Sequence, residues 1–439
     1  MISSILFSIL LVASGVFFYL NAKKIRRNIL IGRDIDLSDN KSERLKTMMK
    51  VAFGQTKMVV RPVAGILHFF IYAAFVITQI ELIEIIIDGV SNGHRSLWHA
   101  MDGSAFAGIY TFIINFIEIL SVLAFIATIT FLSRRNIIRL ARFQMPELKG
   151  WPTKDANLIL GMEIILITCI MTMNATDLEL QARGETHQTA SFLISSQLQG
   201  LFAGLSTGTL HLLERIGWWG HVLGIFGFLT YLPFSKHLHI LLAFPNTYYS
   251  NLKKKGEFTT LDSVTDVVAP NFDPSYQPKT DPNNPVRFGV KDVQDLNWKN
   301  LLDAYTCTEC GRCTSACPQN MTGKKLSPRK IMMDTRDRLV EVGKNMDANG
   351  GSFVDDGKSL LGDYITTEEI WACNTCNACV QECPVNINPL EIIVEMRRYL
   401  VMEQSQSPSE LNNMFSNMEN NGAPWQFSPA DRANWVNEQ

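Results

Sequence analysis

Cysteine is nearly missing from the first two thirds of this 439-residue chain: of nine cysteines, only Cys169 precedes Cys307. A chain this long buries a sizeable core without covalent staples, so a disulfide framework is excluded. Charge imbalance is lacking too, with 40 Lys and Arg against 42 Asp and Glu and a net charge of −2. That balance leaves no basic footprint for a nucleic-acid partner. No Lys or Arg precedes the first apolar run, and no clean small-residue cleavage site follows it. A cleaved signal peptide is thereby excluded, and the run is expected to remain as an anchor. Apart from one repeat among the cysteines, no internal repetition is visible.

That repeat is the most informative feature present. Cys307, Cys310, Cys313 and Cys317, followed by Pro318, return with the same spacing as Cys373, Cys376, Cys379 and Cys383, followed by Pro384. Three thiolates on one tight loop hold three corners of a [4Fe-4S] cube, and in two-cluster ferredoxins the fourth cysteine of each run crosses to the other cube. The expected ligand sets are therefore Cys307, Cys310, Cys313 and Cys383 for one cluster, and Cys373, Cys376, Cys379 and Cys317 for the other. Zinc needs neither a third evenly spaced cysteine nor the trailing proline.

The apolar share of 46% is unevenly spread, because nearly all long apolar runs lie before residue 245. Candidate spans run from Ile2 to Leu20, Pro62 to Ile87, Phe106 to Leu132, Leu158 to Met173 and Ile216 to Phe244, most near the roughly 20 residues a bilayer core demands. Bases crowd the segments after spans one and three, whereas only Arg95 lies between spans two and three. The positive-inside rule then places the N-terminus outside, and the end of span five, with Lys236, Lys253, Lys254 and Lys255, in the cytoplasm. The reading is a multi-pass protein of the cytoplasmic (inner) membrane with its cysteine-rich part on the cytoplasmic side. Phe192 to Leu205, rich in Ser, Gln and Gly, reads as an extracytoplasmic surface helix rather than a sixth span.

The expected architecture is mainly α: a five-span transmembrane helical bundle followed by an α-helical two-[4Fe-4S] ferredoxin domain. Residues 1–245 form the membrane domain, 246–300 a polar linker, 301–404 the dicluster domain and 405–439 an extended C-terminal arm. His68 and His239 lie at matching depth near the cytoplasmic ends of spans two and five, which suits axial ligation of one b-type haem. His221 lies 18 residues before His239, about five turns and ~27 Å along a continuous helix, which leaves room for a second haem. Its partner would come from among His94, His99 and His211. Glu81, Glu84, Glu118 and Glu163 fall within or near apolar spans, either as proton carriers at a quinone site or as helix-end residues reaching headgroups. Cys169 reads as a small packed side chain.

These motifs meet a family. Asp295-Leu-Asn-Trp-Lys-Asn-Leu-Leu-Asp303, Cys307-Thr-Glu-Cys-Gly-Arg-Cys313 and Thr322-Gly-Lys-Lys-Leu-Ser-Pro328 resemble membrane-bound iron-sulfur oxidoreductases that pass electrons from electron-transfer flavoprotein to menaquinone. Trp371-Ala-Cys-Asn-Thr-Cys376 through Cys383-Pro-Val385 is similar to the two-cluster subunit of heterodisulfide reductases. The membrane part resembles the gamma subunit of respiratory nitrate reductase, a five-span dihaem cytochrome b, with Pro233, Lys236, His237 and His239 in the matching stretch. That family has two histidines in span two where this chain shows only His68. The fused oxidoreductases continue into cysteine-rich CCG domains, whereas this chain stops at Gln439; Asn421-Gly-Ala-Pro-Trp425 through Trp435 resembles the segment that precedes them. The resemblance implies an electron conduit to menaquinone or another quinone, with a separate CCG-domain subunit and electron-transfer flavoprotein as partners. The rival reading is a haem-free anchor docking a ferredoxin module to a larger redox complex.

Overall fold

An apolar run within a bilayer must satisfy its own backbone polar groups, and the helix does so locally. The computed structural model describes residues 2–254, 256–281 and 287–438, and among these it contains helices and two isolated bridge pairs but no extended strand. Lys255, residues 282–286 of the expected linker and Gln439 lie outside the described residues. The long helices of the first half are α1 (Ile2–Ile29), α2 (Pro62–Ile77), α3 (Gln79–Ser91), α4 (Ala107–Asn136), α5 (Trp151–Ala182) and α6 (Thr207–Tyr231). Four stretches are long and apolar enough to cross a membrane: α1, the α2–α3 run from Pro62 to Ser91, α4 and α5. α6, with 25 residues, falls outside that set and carries the adjacent Glu214 and Arg215 pair.

The fifth expected span, continuous from Ile216 to Phe244, is corrected by the structure. α6 ends at Tyr231, a short turn over Leu232–Phe234 contains Pro233, and a second turn covers Lys236–Leu238 before α7 (His239–Tyr248) begins. Pro233 supplies no N–H to extend the ladder. Ser235 then adopts extended backbone, and its hydroxyl accepts from the His237 N–H at 3.1 Å, as a cap does. His221 and His239 therefore sit on different helices, and the five-turn spacing between them does not hold. Pro245, at the boundary expected between membrane domain and linker, lies inside α7.

Small residues let the long helices approach closely, as packing without a hydrophobic drive requires. A Cβ on Gly217 of α6 would stand 2.8 Å from the Cys169 carbonyl oxygen and 2.9 Å from the Met173 nitrogen of α5; one on Gly220 would meet Cys169 Sγ. Phe7 of α1 fills the gap above Gly89 of α3 and lies 5.6 Å from Trp218 and 5.5 Å from Phe226. Phe192 to Leu205 contains no helix long enough to cross a membrane: it holds the five-residue helix Ser195–Gln199, tied to α4 by the Ile194 and Ser195 N–H groups donating to Glu118 at 2.7 and 3.2 Å.

The second half packs α8 (Trp298–Thr306), α9 (Pro328–Ala348) and α10 (Pro389–Arg398) around Leu301, Ile331, Leu339, Ile392 and Met396. Asn297, Ser327 and Asn388 cap these helices with side-chain oxygens accepting from backbone N–H groups, which fixes where each begins. The 405–439 segment, expected to be extended, instead carries α11 (Ser409–Asn421). Leu411, Met414, Phe415 and Met418 recur on it at helical spacing, a pattern that favours one apolar face.

One end of the bundle meets this second half. Asn28 donates to the Tyr305 hydroxyl at 3.0 Å, and Arg33 and Leu296 share a backbone hydrogen bond of 2.8 Å. Lys57 donates to the Val380 carbonyl at 3.1 Å, and Arg61 pairs with Glu382 at 2.8 Å. Arg329 pairs with Glu147 at 2.8 Å and donates to the Arg142 carbonyl at 2.7 Å. The segments after α1, before α2, between α4 and α5, and after α6 thus all face the cysteine-bearing half.

Candidate electron-transfer site

α8 ends at Thr306 and delivers Cys307 into a tight loop. In each run the residue before the second cysteine and the residue after it are left-handed: Glu309 (φ 56°) and Gly311 (φ 71°) in the first, Thr375 (φ 54°) and Asn377 (φ 59°) in the second. Both loops therefore wrap alike, and each leads into a short helix, Arg312–Ser315 or Ala378–Glu382. Glycine and asparagine enter this region cheaply, whereas β-branched Thr375 is strained there. Such strain persists where the surroundings dictate the backbone.

The structure brings the two cysteine runs close together, with Cys317 beside the second run and Cys383 beside the first. Cys313 lies within electrostatic reach of Cys310, Cys307 and Cys383, and also of Cys379; Cys383 lies within reach of Cys310. Cys373 and Cys379 each stand with Cys317 and Cys376. A pocket lined by Cys317, Cys373, Cys376 and Cys379, together with Pro318, Leu326, Leu390 and Ile393, encloses the second set. Burial pushes the Cys307 and Cys379 thiols up to about 12 and the Cys383 thiol up to about 11. Thiols held that high ionise by binding metal. Backbone N–H groups of Thr375 and Ile387 donate to Cys373 and Cys383 sulfurs at 3.4 and 3.3 Å, the kind of contact that tunes an iron–sulfur potential. The donor set, its enclosure and its N–H contacts fit two iron–sulfur cubes. Cys376 is exposed, whereas Cys307, Cys317, Cys379 and Cys383 are buried.

The first set abuts the histidines. Glu309, between Cys307 and Cys310, is buried; it pairs with Arg336 at 2.8 Å and forms a short ion pair with Lys236. Lys236 opens the turn that carries His237 and leads into His239, and the two imidazole rings are 5.3 Å apart. His239 Nδ1 contacts the Lys236 carbonyl oxygen at 3.0 Å, which leaves Nε2 as the available ligand atom. His68 interacts electrostatically with His239 and with Arg312, and its Nδ1 is buried without a hydrogen-bond partner. A buried ring nitrogen without a partner, within electrostatic reach of a second imidazole, fits a haem ligand. His221 is placed apart: its Nδ1 contacts the Leu166 carbonyl oxygen at 3.0 Å, and among the described residues no second histidine joins it. His94 is engaged with Asp177 at 3.1 Å, and His99 stacks edgewise on His187.

The carboxylates divide in the same way. Glu81 and Glu84 are buried against Arg95 at 3.2 and 3.5 Å, and Tyr110 donates to Glu84 at 2.6 Å. They belong to a closed polar network at the far end of the bundle rather than reaching headgroups. Sequence reasoning missed Glu309 and Arg336 as neighbours of the site and gave His237 no role. The available signal was an acidic residue inside a ligand loop and a Pro-Phe-Ser-Lys-His stretch that could not continue a helix.

The family of 4Fe-4S dicluster domains matches residues 306–387. The chain is similar to a Bacillus subtilis protein described as "Probable iron-sulfur-binding oxidoreductase FadF", with 28% identity over 100% of this chain and 61% of that protein. It is also 28% identical to the "EtfAB:quinone oxidoreductase" of Syntrophomonas wolfei, over 99% of this chain and 60% of the relative. A shorter match, 34% identical over 23% of this chain and 49% of the relative, is to one of the subunits of a CoB-CoM heterodisulfide reductase of Methanosarcina acetivorans. The chain thus spans about three fifths of the length of the two oxidoreductases. No solved structure matches it significantly. The dicluster match, the membrane-length helices and these relatives support an electron-transfer role for a membrane protein carrying iron–sulfur clusters.

Proposed function

We propose that the chain is a membrane electron conduit, linking a cytoplasmic donor such as electron-transfer flavoprotein through two [4Fe-4S] clusters and haem b to menaquinone or another quinone. The observation that carries this reading is the adjacency of the Cys307 set to His239 through Glu309 and Lys236, with His68 within electrostatic reach of His239 and of Arg312. In it, Cys307, Cys310, Cys313 and Cys383 hold the cluster nearer the membrane, and Cys373, Cys376, Cys379 and Cys317 hold the outer one. His68 and His239 hold the haem. His221, without a histidine partner, carries no second haem in this reading. When bound, these groups supply one-electron transfer; the protein supplies order, spacing and local charge. Exposed Cys376 marks the edge at which a soluble partner approaches.

The remaining assignments belong to the same proposal. Five spans cross the inner membrane, α2 and α3 forming one and α6 included, with the N-terminus outside and residues 301–404 in the cytoplasm. The name of the Syntrophomonas wolfei relative motivates the quinone and the flavoprotein, and the heterodisulfide reductase relative motivates a cysteine-rich CCG-domain subunit. That subunit docks on residues 405–439, where Phe415, Met418, Trp425 and Trp435 are exposed. A reduced-minus-oxidised spectrum of the purified protein tests the conduit: b-type bands together with roughly eight irons per chain, as two cubes require, are expected. Iron without b-type bands would replace the conduit with the haem-free anchor.

A further inference from the structure

At the end of the bundle facing the cysteines, a cavity of about 520 Å³ is lined by Val60, Arg61, Val63, Ala64, Arg134 and Arg142, among others. Its size falls within the roughly 300–1,000 Å³ of ligand sites. Three guanidinium groups line it, and the charges of Arg61, Arg134 and Arg312 all act on Arg142. The carboxylate near them is Glu382, which pairs with Arg61 at 2.8 Å, and Cys310 and Cys383 of the first set lie close by. The Arg134 side chain has no hydrogen-bond or ion-pair partner among the described residues. Arg142 Nε is buried and unpartnered, with its guanidinium over the Phe143 ring at 4.9 Å. Like charges crowded around a cavity, one with a buried unsatisfied donor, are unfavourable until an anion enters.

The surroundings say what kind of anion. The cavity opens at the first turn of α2, a 16-residue helix with Pro62 at its start, so the helix dipole adds positive potential there. Its apolar wall is unusually exposed, with Val60 at 68% and Val63 at 59%. Ile137 and Ile138, which follow Arg134 at the end of α4, are exposed as well. Arginines beside exposed aliphatic side chains, where membrane-length helices begin and end, match an amphiphile with a negative head. We propose that this cavity binds the phosphate headgroup of an anionic phospholipid, with Arg134 and Arg142 on the phosphate and Val60 and Val63 along the acyl chain.

Native mass spectrometry of the full-length protein, delipidated in detergent and supplied with phosphatidylglycerol, phosphatidylcholine or inorganic phosphate alone, tests this. The wild type should retain phosphatidylglycerol and not phosphatidylcholine, and its thermal unfolding midpoint should rise with the former only. The double variant Arg134→Gln/Arg142→Gln should lose the retained lipid and the shift, while Arg134→Lys/Arg142→Lys keeps part of both. If the glutamine pair is not recovered folded, Arg134→Gln alone and the wild-type lipid comparison decide the matter. Equal retention of both lipids, or unchanged retention in the glutamine variants, would overturn the proposal. Retention of inorganic phosphate without any preference between lipids would reassign the cavity to a free anion and overturn it too.

Discussion

Cys317 and Cys383 each stand among the cysteines of the opposite run, so their loss should be felt away from their own loop. Cys317→Ser is expected to damage the cluster held by Cys373, Cys376 and Cys379 while sparing the other, as read by electron paramagnetic resonance of the reduced protein. Loss of the Cys307-set signal alone would show that the runs do not cross. At the histidines, His68→Ala and His239→Ala should each remove the same haem, seen as loss of b-type bands, because each imidazole supplies one side of the same pair. His221→Ala should leave those bands unchanged, since that ring contacts the Leu166 carbonyl and no second histidine. Haem retained in both His68→Ala and His239→Ala would end the pairing.

The α5–α6 contact shows what decides helix packing here. Backbone atoms of Cys169 and Met173 occupy the space beside Gly217, and backbone cannot swing aside as a flexible side chain can. Gly217→Ala should therefore cost about 1–3 kcal/mol, the usual penalty of overpacking, and lower the thermal midpoint in detergent. Gly227→Ala, on the same helix with nothing within 4 Å of the added carbon, is the matched control and should leave the midpoint level or raised. Equal effects from the two would mean that the close approach does not matter. Glu118 illustrates the same principle from the polar side: a carboxylate inside α4 is tolerated because the Ser195–Gln199 segment folds over it and donates backbone N–H groups.

At the scale of the whole molecule, a few buried ion pairs hold the membrane helices to the cysteine-bearing half. Arg329 is fully buried and pairs with Glu147 from the α4–α5 connection. Arg329→Met leaves that carboxylate without its cation, a change worth about 3–5 kcal/mol when a buried pair is broken. Limited proteolysis should then release residues beyond the α7 region faster than in the wild type; an unchanged cleavage rate would show that other contacts carry the docking. The arm is a separate matter, since none of α11 is buried. Truncation after Gln404 should leave iron content intact but abolish co-purification of a cysteine-rich subunit from native membranes. Equal recovery of that subunit by the truncated protein would remove the arm from the interface.

The eight-cysteine pattern and the four long apolar helices were legible in the sequence because both are local: ligand spacing is set by a few consecutive residues, and hydropathy accumulates along one segment. The break after Tyr231 was legible in part, since Pro233 and Ser235 were visible, yet the apolar run hid a turn that only its packing shows. The α11 face at Leu411, Met414, Phe415 and Met418 was readable by periodicity and was masked by the polarity of its neighbours. The sequence determined by itself the doubled cysteine spacing that suits iron–sulfur clusters and which stretches prefer lipid. Only the tertiary structure decided that Cys317 lines one pocket with Cys373, Cys376 and Cys379, that His68 lies within electrostatic reach of His239 while His221 contacts the Leu166 carbonyl, that Glu309 meets Lys236, and that Arg134 and Arg142 line one cavity. Those pairs join residues that are mostly tens to hundreds of positions apart, and such contacts are fixed by how helices dock, which no local pattern encodes.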